Sequence, residues 1–430
     1  MRLPAAGLRK TGADARLRCC AADARVGYAV LMQVDEMQAA IREQGVDGWL
    51  FYDHHHRDPI AGRVLGMDPA AHVTRRWYYF VPAVGEPRKL VHRIESFRLD
   101  GLPGGKREYS SWQELAAELE RMLEGARRIA MQYSPGNAIL YVSMVDAGTV
   151  EFLRELGKEI VSSADLVSRF EAVLSEEQMA SHALAQRAID RILVAAWREI
   201  AARVRSASGG AGAFTEYAMM QWLAGALRRE GLEWENGPNV SVGPNSADSH
   251  YEPTAERSRA IREGDFLLID IWGRQAKPLA DGRAAIHYDV TWTGVIGREP
   301  SERERTIFAA VVAARDAAIA AVERAFAERR EIRGFEADRA ARRVIDEAGF
   351  GAYFTHRTGH NIAADLHGTG AHLDDLETHD ERRILPRTCF SVEPGVYLPG
   401  EFGVRSEVNM LTVEDRAWVT GARQTELVRI

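Results

Sequence analysis

The chain has 430 residues, 46% hydrophobic and 27% charged, and is long enough for two or three globular domains. Its net charge of −7, with both signs interspersed, argues against a nucleic-acid-binding protein and suits a small polar or peptide ligand. No apolar run approaches the roughly 20 residues that a membrane span requires. The three cysteines cannot form a secreted disulfide framework, so we expect a cytoplasmic protein without a membrane partner.

The N-terminal half begins with an extension, residues 1–31, that is rich in Arg and Ala but lacks the compact apolar segment of a signal peptide. We expect it to be disordered, or to reflect an upstream start, because Met32 opens a more structured segment. Over residues 32–170, helix-like and strand-like segments alternate, which predicts an α/β domain. Clear examples are the strand-like runs Gly48–Tyr52 and Arg128–Ser134 and the amphipathic segment Ser111–Gly125.

A second domain is predicted over residues 171–430, where two helices followed by strands occur twice. The four predicted helices are Glu176–Ser206, Phe214–Gly231, Ser301–Arg329 and Phe335–Gly349. Strands are predicted around Val240, Phe266, Ala285, Thr355, Phe390 and Val404. Two similar halves of this kind would bring equivalent positions face to face at the centre of a sheet.

Each half of this second domain carries two acidic residues inside strand-like runs, an unusual place for a carboxylate. They are Asp270 and Asp289 in the first half, and Glu393 and Glu407 in the second. One strand acid alone could mark a turn or an edge, but four in equivalent places are harder to explain so. Crowded carboxylates repel one another and raise their pKa values unless a cation is present. A pair of divalent metal ions, which would hold a water or hydroxide between them, is the simplest source of that charge.

A histidine donor is expected at His360, in the segment HRTGHNIAADLHG. A lone histidine is more often packed or at the surface, but the aromatic residues before this one and the loop after it favour an inward side chain. An oxygen-rich site with one imidazole and no thiolate favours Mn²⁺ first, then Co²⁺ or Fe²⁺, and is compatible with Zn²⁺.

The order Asp, Asp, His, Glu, Glu, in the contexts LLIDIWG, YDVTWTG, TGHNI, SVEPGVY and VRSEVN, resembles that of the pita-bread metallopeptidases of family M24. This family includes methionine aminopeptidase, aminopeptidase P, prolidase and creatinase. The resemblance runs from about Ser175 to the C-terminus, and the segment before it resembles the amino-terminal domain of creatinase and prolidase. It implies an α+β fold class, in which a smaller α/β creatinase-like domain precedes a pita-bread catalytic domain.

The resemblance also implies a set of metal ligands, in which Asp289 and Glu407 bridge two divalent ions. The five implied ligands are Asp270, Asp289, His360, Glu393 and Glu407. Glu393 would in addition act as a proton shuttle, taking a proton from the metal-bound water and passing it to the leaving amine.

Four further residues match positions that contact substrate in the family. His250 and His367 stand where two histidines hydrogen-bond the substrate and the tetrahedral intermediate. Arg405 and His356 match residues on the wall of the prolyl pocket. The resemblance therefore implies catalytic roles for His250, His367 and Glu393, and substrate binding by the two histidines, His356 and Arg405.

The sequence departs from the family pattern at several places. The spacing between the two aspartates is longer than usual, and the excess segment RQAKPLADGRAAI predicts an extended hairpin loop. Gly368 and Val408 stand where relatives usually have acids. Trp272 and Trp292 place bulk beside the first two ligands, where small or basic residues are common. These departures leave the size and identity of the substrate open.

Three adjacent histidines, His54–His56, lie in the segment DHHHRD after the first strand. They cannot all face one metal ion from a strand, so a solvated loop is the simplest interpretation. A sharper hypothesis is that this loop reaches the active site of the partner subunit in a homodimer, as amino-terminal domains do in related enzymes.

The leading hypothesis is a metal-dependent exopeptidase that hydrolyses Xaa-Pro bonds, similar to aminopeptidase P or prolidase, in small peptides with proline second. The alternative is a small-molecule C–N hydrolase or lyase on the same fold, and a third hypothesis is a non-catalytic binding module. Creatinase-like members tend to lack the metal ligands, and a binding module is expected to have lost them, whereas all five are present here. The sequence does not define the residue before proline or whether a free carboxylate is required.

Overall fold

The computed structural model describes residues 34–207 and 214–430. The extension expected over residues 1–31 lies outside these residues. The described chain forms two compact units. The first contains the residues up to Asn137 and Val142–Leu166, and the second contains Ala138–Tyr141 and the residues from Val167 to Ile430. The domain limits given above, 32–170 and 171–430, stay a prediction.

The first unit is built on a six-stranded mixed sheet. Its strands are β1 (Gly48–Asp53), β2 (Trp77–Pro82), β3 (Arg88–His92), β4 (Gly105–Tyr109), β5 (Arg128–Met131) and β6 (Glu159–Ser162). Their order is β4-β3-β2-β1-β5-β6, with antiparallel pairing of β2 to both β1 and β3 and parallel pairing elsewhere. Every residue of β1 and β2 is buried, because these strands lie inside the sheet, and both therefore read as continuous apolar runs.

The described residues of the first unit also form helices α1 (residues 34–43), α2 (Pro59–Val64), α3 (Trp112–Met122) and α4 (Ala147–Glu155), of which α2, α3 and α4 contact the sheet. The short helix α5 (Ala164–Val167) and the π-helical turn that follows it at Ser168–Ala172 lie where the chain passes from the first unit to the second. The helix α3 begins at a capping box, in which the Ser111 hydroxyl accepts from the Glu114 amide at 3.2 Å and the Glu114 carboxylate accepts from the Ser111 amide at 3.3 Å. Its buried residues Leu115, Leu119 and Met122 join the core of this unit.

Among its described residues, the second unit contains four long helices and three groups of strands. The helices are α6 (Glu176–Ala207), α7 (Glu216–Arg229), α8 (Glu302–Ala327) and α9 (Gly334–Glu347). The strands are β7 (Leu232–Glu233), β8 (Asn239–Val242), β9 (Phe266–Gln275), β10 (Tyr288–Val295), β11 (Asn361–Ile362), β12 (Cys389–Val392), β13 (Gly395–Leu398), β14 (Phe402–Arg405), β15 (Val408–Val413), β16 (Arg416–Thr420) and β17 (Val428–Arg429). No helix of the described residues is long and apolar enough to cross a membrane.

The strands of the second unit form one sheet in each half. In the first half the order is β17-β10-β9-β7, with β8 also paired to β9, and α6 and α7 pack on it through residues such as Ile189, Leu223 and Ile269. In the second half β11, β12, β15 and β16 form a sheet, β13 and β14 form a hairpin, and α8 and α9 contribute Val311 and Ile345 to the core. The order of two helices followed by strands thus occurs twice, as the sequence predicts.

Three strand predictions are wrong in detail. Around Thr355 the chain is not a strand: the Thr358 amide and hydroxyl donate to the Asp338 carboxylate at 2.9 Å and 2.7 Å, so a side chain of α9 takes the place of a strand partner. Glu393 lies just after β12, and Glu407 lies between β14 and β15. The Glu393 amide donates to the Thr358 carbonyl oxygen at 2.7 Å, and the Glu407 amide donates to the Thr291 carbonyl oxygen at 3.2 Å.

Candidate metal centre

The antiparallel pair β9–β10 places two of the predicted ligands on one face of the sheet. Asp270 is paired with Thr291, and Asp289 is paired with Trp272. Because directly paired residues share a face and alternate residues return to it, these four side chains project from the same side. The opposite side carries apolar residues such as Ile271, which belong to the core under α6 and α7. The alternation along both strands is therefore what aims the two carboxylates.

The second half of the unit brings its ligands to this face. Thr291 Oγ1 lies 2.8 Å from Glu407 Oε2 and 2.9 Å from Asp270 Oδ1, so one hydroxyl links carboxylates of the two halves. His360 Nε2 lies 3.3 Å from Glu393 Oε1 and 3.6 Å from Asp289 Oδ2. The five residues predicted as metal ligands consequently form one continuous cluster.

The centre of this cluster fits a metal ion. One donor atom each from Asp289, His360 and Glu407 lies within 4.8 Å of the others, and within the described ranges no other group of three or more such residues is found. Asp289 Oδ1 and Glu407 Oε1 are buried and have no hydrogen-bond partner. Buried carboxylate oxygens without donors are costly unless a cation compensates them. Two such oxygens beside a neutral imidazole are the donors that a divalent ion requires.

The pKa shifts of the clustered side chains also favour a bound cation. Burial, followed by repulsion from Glu393, raises the pKa of Asp289 well above its ordinary value. Burial, followed by repulsion from Asp289, does the same to the pKa of Glu407. Burial raises the pKa of Asp270 to about 6, although Arg405 opposes this shift. Burial lowers the pKa of His360, which favours the neutral imidazole that can coordinate a metal.

Arg405 lies inside the cluster. Its Nη2 donates to Asp270 Oδ2, its Nε donates to Thr291 Oγ1 at 2.9 Å, and its Nε lies 3.9 Å from Glu393 Oε2. The side chain is only 5% exposed, and its remaining nitrogen donates to Tyr397 Oη at 3.1 Å. Arg405 therefore neutralises part of the carboxylate charge and fixes the orientation of Asp270.

His356 is linked to the cluster through Arg405 and Tyr397. Its Nδ1 lies 2.7 Å from the Arg357 carbonyl oxygen and its Nε2 lies 2.7 Å from Tyr397 Oη. Because a carbonyl can only accept, Nδ1 carries the proton and Nε2 accepts from the tyrosine hydroxyl. Burial, followed by the charge of Arg405, lowers the pKa of His356 to about 3. Both ring nitrogens are thus engaged by protein atoms, and a role in substrate binding stays a prediction.

A cavity of about 770 Å³ opens beside the cluster. Four predicted ligands line it, whereas Glu407 is not among its lining residues. His250 and His367 also line it, and the His367 ring packs edge-on against the His360 ring at 4.3 Å between centroids. The two histidines are therefore within the same cavity as the cluster, from loops that begin after β8 and β11.

Sequence reasoning missed several residues that the structure brings to this cavity or cluster, among them Thr291, Tyr397 and Arg357. Thr291 links the carboxylates and could have been found, because it lies two residues after Asp289 on the same strand face. Tyr397 and Arg357 carry no such signal, since Tyr397 reads as a core strand residue and Arg357 as part of a strand that does not form.

The two tryptophans beside the aspartates have different positions. Trp272 projects into the cavity, its indole N–H donates to the Glu235 carbonyl at 3.0 Å, and its ring covers Gly237. A Cβ on Gly237, which has a φ of 61°, would lie 2.4 Å from this ring. Trp292 packs against the core under α6 and α7, so the expectation that it adds bulk beside the ligands is wrong. The reason is the alternation of β10, which turns Trp292 to the opposite face.

The two positions that lack the usual acids are both explained by packing. A Cβ on Gly368 would lie 2.3 Å from Asn361 Oδ1. That oxygen accepts from the Gly370 amide at 2.9 Å, so the Asn361 side chain leaves no room for an acid at position 368. Val408 is fully buried in the core of the second half, where a carboxylate would be costly.

The histidines His54–His56 lie in the first unit, after β1. His55 and His56 have positive φ values of 61° and 55°, as in a tight turn, and His56 Nε2 lies 2.8 Å from the Ala71 carbonyl oxygen. None of the three belongs to a group of three or more potential metal ligands within the described ranges. The contact with a partner subunit stays a prediction.

The region that contains this site matches a known protein family. The sequence model of metallopeptidase family M24 matches residues 180–414, which is more than half of the chain and contains all five predicted ligands. The chain belongs to metallopeptidase family M24. The resemblance drawn from the five short contexts is therefore confirmed for the family.

Individual relatives match this chain at 30% identity and over only part of their length. The probable dipeptidase PepE of Mycobacterium tuberculosis is 30% identical over 262 residues, which are 61% of this chain and 62% of that protein. The Xaa-Pro dipeptidase of Lactobacillus helveticus is 30% identical over 168 residues, 39% of this chain and 40% of that protein. The matched segments thus span less than two thirds of the length of these relatives.

A solved structure shows the same fold over nearly the whole chain. The crystal structure of dipeptidase PepE from Mycobacterium ulcerans matches with a TM-score of 0.66 at 24% identity, covering 94% of this chain and 98% of that one. The predicted fold class, α+β with an amino-terminal domain before a pita-bread domain, is confirmed.

Proposed function

We propose that this protein is a metal-dependent exopeptidase that hydrolyses Xaa-Pro peptide bonds, as a dipeptidase or an aminopeptidase. The observation that carries the proposal is the buried group of Asp289, His360 and Glu407, with donor atoms within 4.8 Å of one another, beside a cavity large enough for a short peptide. The names of the M24 relatives, which include an Xaa-Pro dipeptidase, support this substrate class.

Two divalent ions suit the charge of the cluster better than one. Its four carboxylates face a single guanidinium, that of Arg405, which leaves three negative charges when all are ionised. The ions would be held by Asp270, Asp289, His360, Glu393 and Glu407. Oxygen donors with one imidazole favour Mn²⁺, with Co²⁺, Fe²⁺ or Zn²⁺ as alternatives. When bound, such ions supply Lewis-acid activation of water and of the scissile carbonyl.

The side chains around the cluster have separate tasks in this reaction. Glu393 lines the cavity with 14% of its side chain exposed, so its carboxylate can accept a proton from the attacking water and return it to the prolyl nitrogen. His367 and His250 present ring nitrogens to the same cavity, where they can hydrogen-bond the substrate and its carbonyl oxygen.

The small-molecule C–N hydrolase or lyase is less favoured as an alternative. A metal-free reaction would have no use for buried carboxylate oxygens without partners, such as Asp289 Oδ1 and Glu407 Oε1. The names of the relatives also point to peptides.

The proposal includes a homodimer in the cytoplasm. The low cysteine count supports the cytoplasmic location, and the likeness to two-domain M24 enzymes supports the homodimer. Sedimentation equilibrium at micromolar concentration is expected to give twice the chain mass of 47.8 kDa, and a monomer mass would contradict the dimer.

Hydrolysis assays test the activity. Protein loaded with Mn²⁺, Co²⁺ or Zn²⁺ is expected to release the first residue from Xaa-Pro dipeptides or from Xaa-Pro-Yaa tripeptides, and to leave matched peptides with alanine second largely intact. Asp289→Asn is expected to lower kcat/KM by at least about a thousandfold, because it replaces a carboxylate that would hold the metal. Metal-loaded protein that is inert on both peptide classes would reject the proposal.

A further inference from the structure

One arginine of the cavity wall has its charge uncompensated by protein carboxylates. Arg405 is paired with Asp270 and Glu393, but Arg357 is held by a neutral group: its Nη1 donates to the phenol oxygen of Tyr141. In the part of the chain that the structure describes, no carboxylate lies within ion-pair distance of the Arg357 guanidinium. A half-buried guanidinium without a carboxylate partner is available to bind an anion that enters the cavity.

The position of Arg357 relative to the cluster is fixed by packing. Its Cζ lies 5.4 Å from the centroid of the Tyr141 ring, and that ring packs on His372 at 4.2 Å between centroids. His372 Nδ1 accepts from the Asn361 amide at 3.0 Å, and Asn361 directly follows the ligand His360. A short chain of contacts therefore ties the guanidinium to the cluster, and both line the same cavity.

We propose that Arg357, oriented by Tyr141, binds the free carboxylate of a dipeptide substrate. The inference rests on the proposed function, and it names which Xaa-Pro substrates the site selects. In an Xaa-Pro dipeptide the carboxylate belongs to the proline that follows the scissile bond, so its anchor must lie beside the cluster. In an Xaa-Pro-Yaa tripeptide the carboxylate is displaced by one residue, roughly 3.8 Å of chain, and the anchor faces an uncharged amide instead.

The chemistry of the two side chains suits a carboxylate. A guanidinium presents paired N–H donors that match the two oxygens of a carboxylate, and such charge-assisted bonds are stronger than neutral ones. The Tyr141 hydroxyl accepts from Arg357 and keeps its own proton free to donate to the same anion. This chain therefore acts as a dipeptidase in preference to an aminopeptidase on longer peptides.

Substrate and product pairs that differ only in the carboxylate test the inference. Wild-type kcat/KM is expected to be roughly tenfold to a hundredfold higher for Ala-Pro than for Ala-Pro amide or Ala-Pro-Ala. Arg357→Ala is expected to remove this preference by lowering kcat/KM for Ala-Pro alone. Arg357→Lys, which keeps a charge but loses the planar fork, is expected to be intermediate. Tyr141→Phe is expected to lower the preference by a smaller factor.

Binding of the product gives a readout that does not depend on hydrolysis. Calorimetric titration of the metal-loaded protein is expected to show tighter binding of L-proline than of prolinamide in the wild type and equal binding in Arg357→Ala. Arg343→Ala, which removes an exposed arginine from α9, is the matched control and is expected to keep the preference.

Three results would overturn the anchor. The first is a loss in Arg357→Ala and Arg357→Lys that is equal for the acid and the amide, which would indicate a structural role. The second is an unchanged preference in Arg357→Ala, and the third is the absence of any preference in the wild type. If no peptide is hydrolysed but proline binding still depends on Arg357, the proposed function falls and the anchor stands.

Discussion

Glu407 combines three unfavourable features for a carboxylate: it is 2% exposed, it neighbours other acids, and its Oε1 accepts no hydrogen bond. Arg405 offsets part of the charge nearby, but it donates to Asp270 and not to Glu407. In the protein without a cation, this residue therefore opposes folding. With a cation it becomes a ligand, so the same side chain has opposite effects on stability in the two states.

Glu407→Gln is expected to separate these effects. After chelation, the variant should be more stable than the wild type by about 1–3 kcal/mol, since a neutral amide of the same shape removes the repulsion. With metal added, it should gain less stability than the wild type and lose peptidase activity. Thermal unfolding with and without a chelator measures both differences.

Glu414→Gln, at an exposed position after β15, is the control and should leave both values unchanged. A chelated Glu407→Gln protein that melts below the wild type would contradict the account of Glu407 as a repelled carboxylate.

At the scale of elements, Glu216 at the start of α7 organises the loop that carries His250. Its carboxylate is fully buried and accepts from the amides of Val242 and Arg259, both at 2.7 Å, and from Tyr251 Oη at 2.7 Å. Asn245 Nδ2 donates to it at 3.0 Å. These donors surround residues 243–258, so one side chain fixes the path of the loop that brings His250 to the cavity.

Glu216→Gln is expected to lower the free energy of unfolding by about 1–3 kcal/mol, because the new NH₂ group faces donors and cannot accept from them. Displacement of His250 should also lower kcat. Glu216→Asp, which keeps the acceptors on a shorter stem, should recover part of the activity. Chemical denaturation and steady-state kinetics measure these effects, and unchanged kcat in a destabilised Glu216→Gln protein would separate this carboxylate from the position of His250.

The same residue illustrates what sequence can and cannot predict. The helix over Phe214–Gly231 was predictable from its periodicity, and the family from five short contexts. The role of Glu216 was not, because its donors are 26 to 43 residues away along the chain and become neighbours only in the fold. Likewise, the strand expected around Thr355 does not form. The Thr358 amide donates to Asp338 of α9, and local strand propensity cannot predict this contact.

For the molecule as a whole, the predicted ligands all lie in one of the two compact units. Asp270, Asp289, His360, Glu393 and Glu407 belong to the second unit, and the first contains no group of three potential ligands among its described residues. Metal binding should therefore act on the stability of the second unit directly. The first unit has its own sheet and core, so we expect it to fold without a metal.

Calorimetric unfolding is expected to show this difference. Saturation at about a hundred times the dissociation constant should stabilise the metal-binding unit by about 2.7 kcal/mol, moving its transition upward while leaving that of the first unit in place. A chelator should reverse the shift. A truncated variant comprising the first unit alone should melt at a metal-independent temperature, and a metal-dependent one would contradict this assignment.

The contact between Gly237 and the Trp272 ring also constrains how the cavity can change. A side chain at position 237 cannot fit while the indole is present, and the positive φ of Gly237 narrows the choice further to residues such as asparagine. Removal of the indole alone would leave an unfilled gap beside the glycine. A substitution at position 237 or at position 272 is thus harmful by itself and tolerable only together with the other. A directed-evolution library that varies both positions together should therefore yield altered cavities that single-site libraries do not reach.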